Sequence, residues 1–290
     1  MIRKGKIKYQ GGITKFLCQN IANRQKNNFK KLILEKRLLP LNCRTIDFDV
    51  ISFSGAVSFE DQILSIYSFV YYAGLPVKWT IYSDGTYCPK DIELIKTLFS
   101  FITVKEWNYN NNSDDKDLLD NYVKRFPTAK KVSIVTGHKY ERQTIYVDSD
   151  IVFYKNIFPY INSTALSKGF WYVPDAVETV EAYFKNDDQN IYAFNFGLII
   201  LNSTFDFGDV FTFLNDLKGN YVYFSDQLAF EYAFRKQNGA VLDPRQFIID
   251  TDDQFDYSTK YRPRDIAMRH YTGPVRHKMW QNGWKWHFDI

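Results

Sequence analysis

From Ile46 onward, short apolar runs rich in β-branched residues alternate with longer segments whose apolar residues recur every three or four positions. The first pattern predicts buried strands and the second amphipathic helices. Val50-Ile51-Ser52-Phe53 is the first strand and ends at Ser54-Gly55. Ser58 with Asp61 three residues later predicts a capped helix start. Phe59, Ile63, Ile66, Tyr67, Val70 and Tyr71 then share one face until Gly74 stops the helix. Trp79-Thr80-Ile81-Tyr82 is a second strand, Ile92, Ile95 and Phe99 mark a helix, and Ile102-Thr103-Val104 is a third strand. The polar stretch from Asn108 to Lys116 predicts a mobile loop. Leu118, Leu119, Tyr122, Val123 and Phe126 make one face of the next helix, and Ala129, Val132 and Val135 make another.

The strand that follows carries the most chemistry. Thr144-Ile145-Tyr146-Val147 stops at Asp148-Ser149-Asp150, and Ile151-Val152-Phe153-Tyr154 resumes the apolar run. A buried strand thus delivers two acids to its C-terminal edge, where ligands bind in an open α/β sheet. Carboxylates this close repel, and a divalent cation between them removes the repulsion. Further on, Asn195 precedes Phe196-Gly197-Leu198-Ile199-Ile200-Leu201-Asn202, a strand with an amide at each end. Ser225-Asp226-Gln227 opens a helix, with Ser225 suited to the N-cap and Asp226 to the positive end of the dipole. Repeated strand–helix–strand units predict an α/β fold with a mostly parallel sheet covered on both faces. The expected organisation is one domain over residues 46–290, preceded by a basic, helical extension over residues 1–45.

Charge changes this picture at one end. Residues 1–45 hold 12 Lys/Arg against one acid, Glu35, a balance of +11, while the remainder has 25 bases against 32 acids, a balance of −7. A basic arm on an acidic body points to an anionic surface, and a peripheral membrane contact is the expectation. The arm shows no nucleic-acid-binding motif, so no nucleic-acid partner is expected. No apolar stretch reaches the about 20 residues that span a bilayer, and the Met1-Ile2-Arg3-Lys4-Gly5-Lys6 start lacks the apolar core of a signal peptide. Cys18, Cys43 and Cys88 match no metal-ligand pattern and suit a reducing setting, so a cytoplasmic protein touching the inner membrane surface is expected.

One segment near the end adds two imidazoles and two cations: His270-Tyr271-Thr272-Gly273-Pro274-Val275-Arg276-His277-Lys278-Met279-Trp280. Taken in chain order, Tyr146-Val147-Asp148-Ser149-Asp150-Ile151, Phe194-Asn195-Phe196-Gly197-Leu198, Asp226-Gln227 and His270-Tyr271-Thr272-Gly273-Pro274 resemble four motifs of the GT-A fold nucleotide-sugar glycosyltransferases, most closely the retaining family 8. The resemblance runs from about Val50 to Trp280 and lies in the order of the motifs.

It implies a Rossmann-like GT-A sheet and a metal-dependent transfer of a hexose, glucose or galactose, from a UDP-sugar to a glycan, lipid or protein hydroxyl. Asp148, Asp150 and His270 would hold Mn²⁺ or Mg²⁺. Gln227, Asp226 and Asp175 would face the reacting sugar, with Asn195 bonding it. Lys131, Ser149 and Gly273 would face the donor, the last from a donor-closing segment over residues 270–290, and Phe53 and Ser54 the nucleobase. This chain departs from the family at three places. Ser54-Gly55 replaces an acid or amide, Phe196 replaces a small residue, and Gly273 is followed by both Arg276 and Lys278, either of which would meet the diphosphate. Spacing favours Arg276, and the place before Trp280 favours Lys278, which is the one expected. An inverting transferase using Asp226 or Asp175 as base, and a silent nucleotide-sugar or glycan binder, are the alternatives.

Overall fold

The computed structural model describes residues 13–35, 44–107, 116–163, 169–175, 193–255 and 260–288. Helices α1 (Ile13–Leu34), α2 (Phe59–Tyr72), α3 (Pro89–Leu98), α4 (Lys116–Arg125), α5 (Lys130–Thr136), α6 (Phe158–Ser163), α7 (Gly208–Asp216) and α8 (Ser225–Lys236) surround two sheets. The strands are β1 (Thr45–Ser54), β2 (Leu75–Ser83), β3 (Ile102–Glu106), β4 (Thr144–Val147), β5 (Ile151–Phe153), β6 (Trp171–Pro174), β7 (Phe194–Leu201), β8 (Ala240–Val241), β9 (Phe247–Ile248) and β10 (Met268–His270). The large sheet runs β3-β2-β1-β4-β7-β6-β8, and β5-β10-β9 form a small one. In the large sheet only β7 is antiparallel to its neighbours, β4 and β6. The α/β, mostly parallel architecture is the one the strand–helix alternation predicts.

Period-two alternation divides the core between the two faces of the large sheet. Val50, Trp79, Ile81, Ile145 and Val147 pack with α2 and α3 residues such as Ile63, Phe69 and Ile95. Ile51 and Tyr146 point the other way, to Leu119 and Tyr122 of α4, Val132 of α5 and Phe230 of α8. Gly74 ends α2 at φ +119°, and a side chain there would also strike the Arg44 carbonyl.

Helix α1 belongs to the same core. Cys18, Ala22, Phe29 and Ile33 are buried, and Phe29 meets the rings of Trp280, Trp284 and Phe288 at 5.2–5.8 Å. The chain after β10 winds through short 3₁₀, α and π turns from Gly273 to His287. Trp280 and Trp284 are core residues, whereas Trp286 is half exposed.

Two helix starts differ from the sequence expectation. Ser58 makes no side-chain cap, and Asp61 turns inward instead. It accepts from Lys26 Nζ at 3.0 Å and Trp280 Nε1 at 2.8 Å, long-range partners that local spacing does not reveal. Ser225 is the first helical residue of α8 rather than its cap, and its Oγ accepts from the Val222 N–H. Of the loop expected from Asn108 to Lys116, residues 108–115 lie outside the described residues and Lys116 begins α4; residues 1–12 and 36–43, Cys43 among them, also lie outside.

Candidate active site

The C-terminal ends of β4 and β10 meet where the large sheet abuts the small one. Asp148 and Asp150 sit on the three-residue step between β4 and β5, fixed by backbone bonds from Asp148 N to Gly197 O and from Tyr271 N to Asp150 O, both 2.8 Å. His270 ends β10, which pairs with β5 so that His270 stands opposite Ile151. One ligand atom from each of Asp148, Asp150 and His270 lies within 4.8 Å of the others, and all three residues are buried. His270 Nε2 is 3.1 Å from Asp150 Oδ1 and 3.7 Å from Asp148 Oδ2.

Hydrogen bonding fixes which imidazole nitrogen faces the acids. Asn195 Oδ1 accepts from the Gly197 N–H at 2.8 Å, and its Nδ2 donates to Asp175 Oδ2 at 3.2 Å. The amide orientation is therefore set. Asn195 Oδ1 also lies 3.1 Å from His270 Nδ1, so Nδ1 must be the donor. With Nδ1–H held by Asn195, Nε2 is the ring nitrogen turned to the acids, the one available to a metal. Gly197 makes room for this ring. A Cβ there would come within 2.3 Å of His270 Cε1 and Nδ1, closer than any side chain tolerates. The residues present fit a divalent cation with oxygen and nitrogen ligands.

Protein cations already face both acids. Lys131 Nζ of α5 donates to Asp148 Oδ2 at 2.6 Å, and Tyr146 OH donates to Asp148 Oδ1 at 2.7 Å. Arg276 Nη2 contacts Asp150 Oδ2. Burial opposes ionisation of Asp150, but His270 and Arg276 outweigh it and hold the carboxyl well below the usual carboxylate range. Burial likewise opposes the Lys131 charge, and Asp148 more than restores it.

A cleft of about 220 Å³ opens beside the acids, lined among others by Lys131, Asp148, Asp175, Asn195, Asp226, Gln227, His270 and Gly273. Gln227 Oε1 accepts from the Phe196 N–H at 3.2 Å, which leaves its amide nitrogen for a ligand. Burial pushes the Asp226 carboxyl up to about 6 against the pull of Lys131 and nearby backbone N–H groups. Two hydroxyls in the walls, Thr128 Oγ1 and Thr272 Oγ1, are buried without a hydrogen-bond partner among the described residues. In the cleft walls, they are open to hydrogen bonding by a polar ligand.

No family profile matches the sequence, and no curated protein matches it either. Solved structures do. The galactosyltransferase LgtC, in complex with donor and acceptor sugar analogues, aligns with 81% of this chain and 95% of its own at a TM-score of 0.56 and 12% identity. Mouse xyloside xylosyltransferase 1 aligns with 80% of this chain and 99% of its own at 0.52 and 14% identity. The glycosyltransferase GlyE of Streptococcus pneumoniae TIGR4 matches at 0.52 and 12% identity, over 84% of this chain and 60% of that one. The chain has the GT-A fold. These neighbours are glycosyltransferases, and the buried Asp-Asp-His group sits at the edge where this fold presents ligands.

Within the GT-A framework the residues expected from sequence fall into two sets. Asp175, Asn195, Asp226, Gln227, Lys131 and Gly273 line the cleft with Asp148 and His270. Phe53 and Ser54 end β1 on the same sheet edge but outside the cleft walls. Phe53 packs into the core, and Ser54 Oγ accepts from Tyr87 OH at 2.9 Å. Ser149 is buried between the acids and does not line the cleft. Phe196 lines it with a ring packed edge-on against Tyr146 and Phe230.

Lys278 does not face the acids. It is buried with Nζ 3.3 Å from Asp253 Oδ2, beside a second cleft of about 610 Å³ walled by Arg269, Tyr271 and Trp286. Arg276 is the cation of that segment that reaches Asp150. Sequence reasoning gave no role to Tyr146, Thr128 or Thr272. Tyr146 was legible, since residues two apart on a strand share a face and Asp148 follows at that interval. The two threonines carried no such signal.

Proposed function

We propose that this chain is a metal-dependent glycosyltransferase that moves a hexose, glucose or galactose, from a UDP-sugar to a hydroxyl of a glycan, lipid or protein, with retention of anomeric configuration. The observation that supports this most is the buried Asp148–Asp150–His270 group, with its imidazole tautomer fixed, beside a cleft bearing unpartnered hydroxyls. At about 220 Å³ the cleft is below the roughly 300–1,000 Å³ of pockets that enclose a drug-sized ligand. In this reading it encloses the transferred sugar, and the nucleotide lies along the sheet edge towards Phe53 and Ser54.

The chemistry of such a donor is a displacement at the anomeric carbon. The bond from that carbon to the phosphate oxygen breaks, and its electron pair leaves with the diphosphate. The acceptor hydroxyl oxygen forms the new bond on the same face and gives its proton to the departing phosphate oxygen. Asp148, Asp150 and His270 would hold Mn²⁺ or Mg²⁺, which would neutralise charge on the leaving diphosphate. Lys131 and Arg276, released from the acids, supply further positive charge to the phosphate oxygens. Asp226 and Asp175 place oxygens near the carbon as it becomes cation-like, while the Gln227 amide nitrogen, Asn195, Thr128 and Thr272 bond the sugar hydroxyls. Gly273, at the start of the closing segment over residues 270–290, lets backbone approach the donor.

A second reading is inversion, with Asp226 as general base. The rise of its carboxyl to about 6 favours this, because a base is most effective near the working pH. A screen of nucleotide sugars for Mn²⁺-dependent hydrolysis tests the proposal, and the anomer of the released sugar separates retention from inversion. Hydrolysis of one UDP-hexose, abolished by chelator, is expected. Absence of turnover with every donor, alongside intact binding, would leave the silent binder.

A further inference from the structure

Helix α1 has two unlike faces. At about 100° per residue, Cys18, Ala22, Phe29 and Ile33 share the side that enters the core. On the opposite side of the first turns stand Ile13, Phe16 and Leu17, flanked by Ile21, at 80%, 65%, 43% and 42% exposure. Single exposed apolar residues need no explanation, but a group on one helix face opposite the core does. The sequence around it is basic. Arg3, Lys4, Lys6, Lys8, Lys15, Arg24 and Lys31 lie in the same stretch of sequence, and no acid occurs before Glu35.

Four apolar side chains are few for a protein partner, since a standard interface takes about 20–30 residues a side. A second copy would bring two strongly basic stretches together. A lipid surface needs only a small apolar wedge and a positive rim. We propose that the outward face of α1 docks this protein on an anionic lipid bilayer, with Phe16 and Leu17 entering the headgroup–acyl boundary and the surrounding Lys and Arg meeting anionic headgroups. The helix is a rigid docking element rather than a loose arm, because Phe29 and Ile33 anchor it. Lys26 on α1 bonds Asp61, which also accepts from Trp280 of the segment bearing Arg276, so the docked helix is tied to the candidate site. The proposal stands on the helix alone and does not depend on the catalytic reading.

The test is sedimentation of the full chain with vesicles of phosphatidylcholine, alone or mixed with phosphatidylglycerol, at low and high salt. Binding to the anionic vesicles only is expected, weakening as salt shortens the Debye length from about 10 Å at 0.1 M to about 3 Å at 1 M. Phe16→Ser with Leu17→Ser should lower the partition at least about tenfold at unchanged melting temperature, since both side chains face outward. Lys15→Gln with Arg24→Gln and Lys31→Gln, a separate variant, should lower it on anionic vesicles too. Failure of the wild type to sediment at low salt overturns the proposal. So does full binding by the Phe16/Leu17 variant, which would mean attraction by charge alone. Concentration-dependent dimerisation lost in that variant, without lipid binding, would assign the face to a second copy instead.

Discussion

Asp226→Asn separates what the fold needs from what the chemistry needs. Asp226 is buried at the start of α8, and burial pushes its carboxyl from 3.8 up to about 6. The folded chain therefore holds that proton more tightly than the unfolded chain does. The contribution of Asp226 to stability is fullest below 3.8, falls as pH rises through the interval up to about 6, and stays at the lower level above it. At about 1.36 kcal/mol per pH unit, the interval from 3.8 to about 6 amounts to roughly 3 kcal/mol lost at neutral pH. Asparagine keeps an oxygen for the Gln227 N–H but carries no charge, so the variant should escape this loss. Its melting temperature should exceed the wild type's by roughly 5 °C at pH 7.5 and match it near pH 3.5. Calorimetric melting across that range is the assay. An equal gain at both ends, or a less stable variant at neutral pH, would refute the account of Asp226 as a carboxylate kept buried at a cost to stability. Turnover should fall in the same protein.

Gly197→Ala should displace the His270 ring, since the added Cβ would sit 2.3 Å from two of its atoms, and Mn²⁺ affinity by titration should drop about tenfold or more. Arg276→Gln should reduce turnover at near wild-type melting temperature. Lys278→Gln should do the reverse, melting earlier by an amount equivalent to about 3–5 kcal/mol, because its loss leaves Asp253 buried with Arg269 as its remaining ion partner. Phe29→Ala should cost about 3–5 kcal/mol in denaturant unfolding, given full burial against three rings of the C-terminal segment.

The parts of this fold legible in sequence are those set by local periodicity. Strand β4 reads as a strand because four apolar residues run without interruption, and its end reads as a site because two acids follow at once. Asn195 proved harder. An amide before an apolar run suggests a strand end, yet Asn195 is the second residue of β7, and its interval of two from Gly197 puts both on the face towards His270. Asp61 looked like half of a capping box, and only tertiary contacts with α1 and Trp280 show its use. The choice between Arg276 and Lys278 was out of reach for a different reason. Residues 273–287 pass through 3₁₀, α and π turns, so linear spacing does not give the direction of a side chain.

The central claim is that Asp148, Asp150 and His270 hold a divalent ion that in turn holds a nucleoside diphosphate. Calorimetric titration of UDP in the presence and absence of Mn²⁺, on the wild type and on Asp148→Asn and Asp150→Asn, tests it directly. The account predicts saturable UDP binding that requires Mn²⁺ and weakens about tenfold or more in each variant, with melting temperatures that show both variants folded. UDP binding of equal strength without metal, or undiminished in both variants, would contradict it.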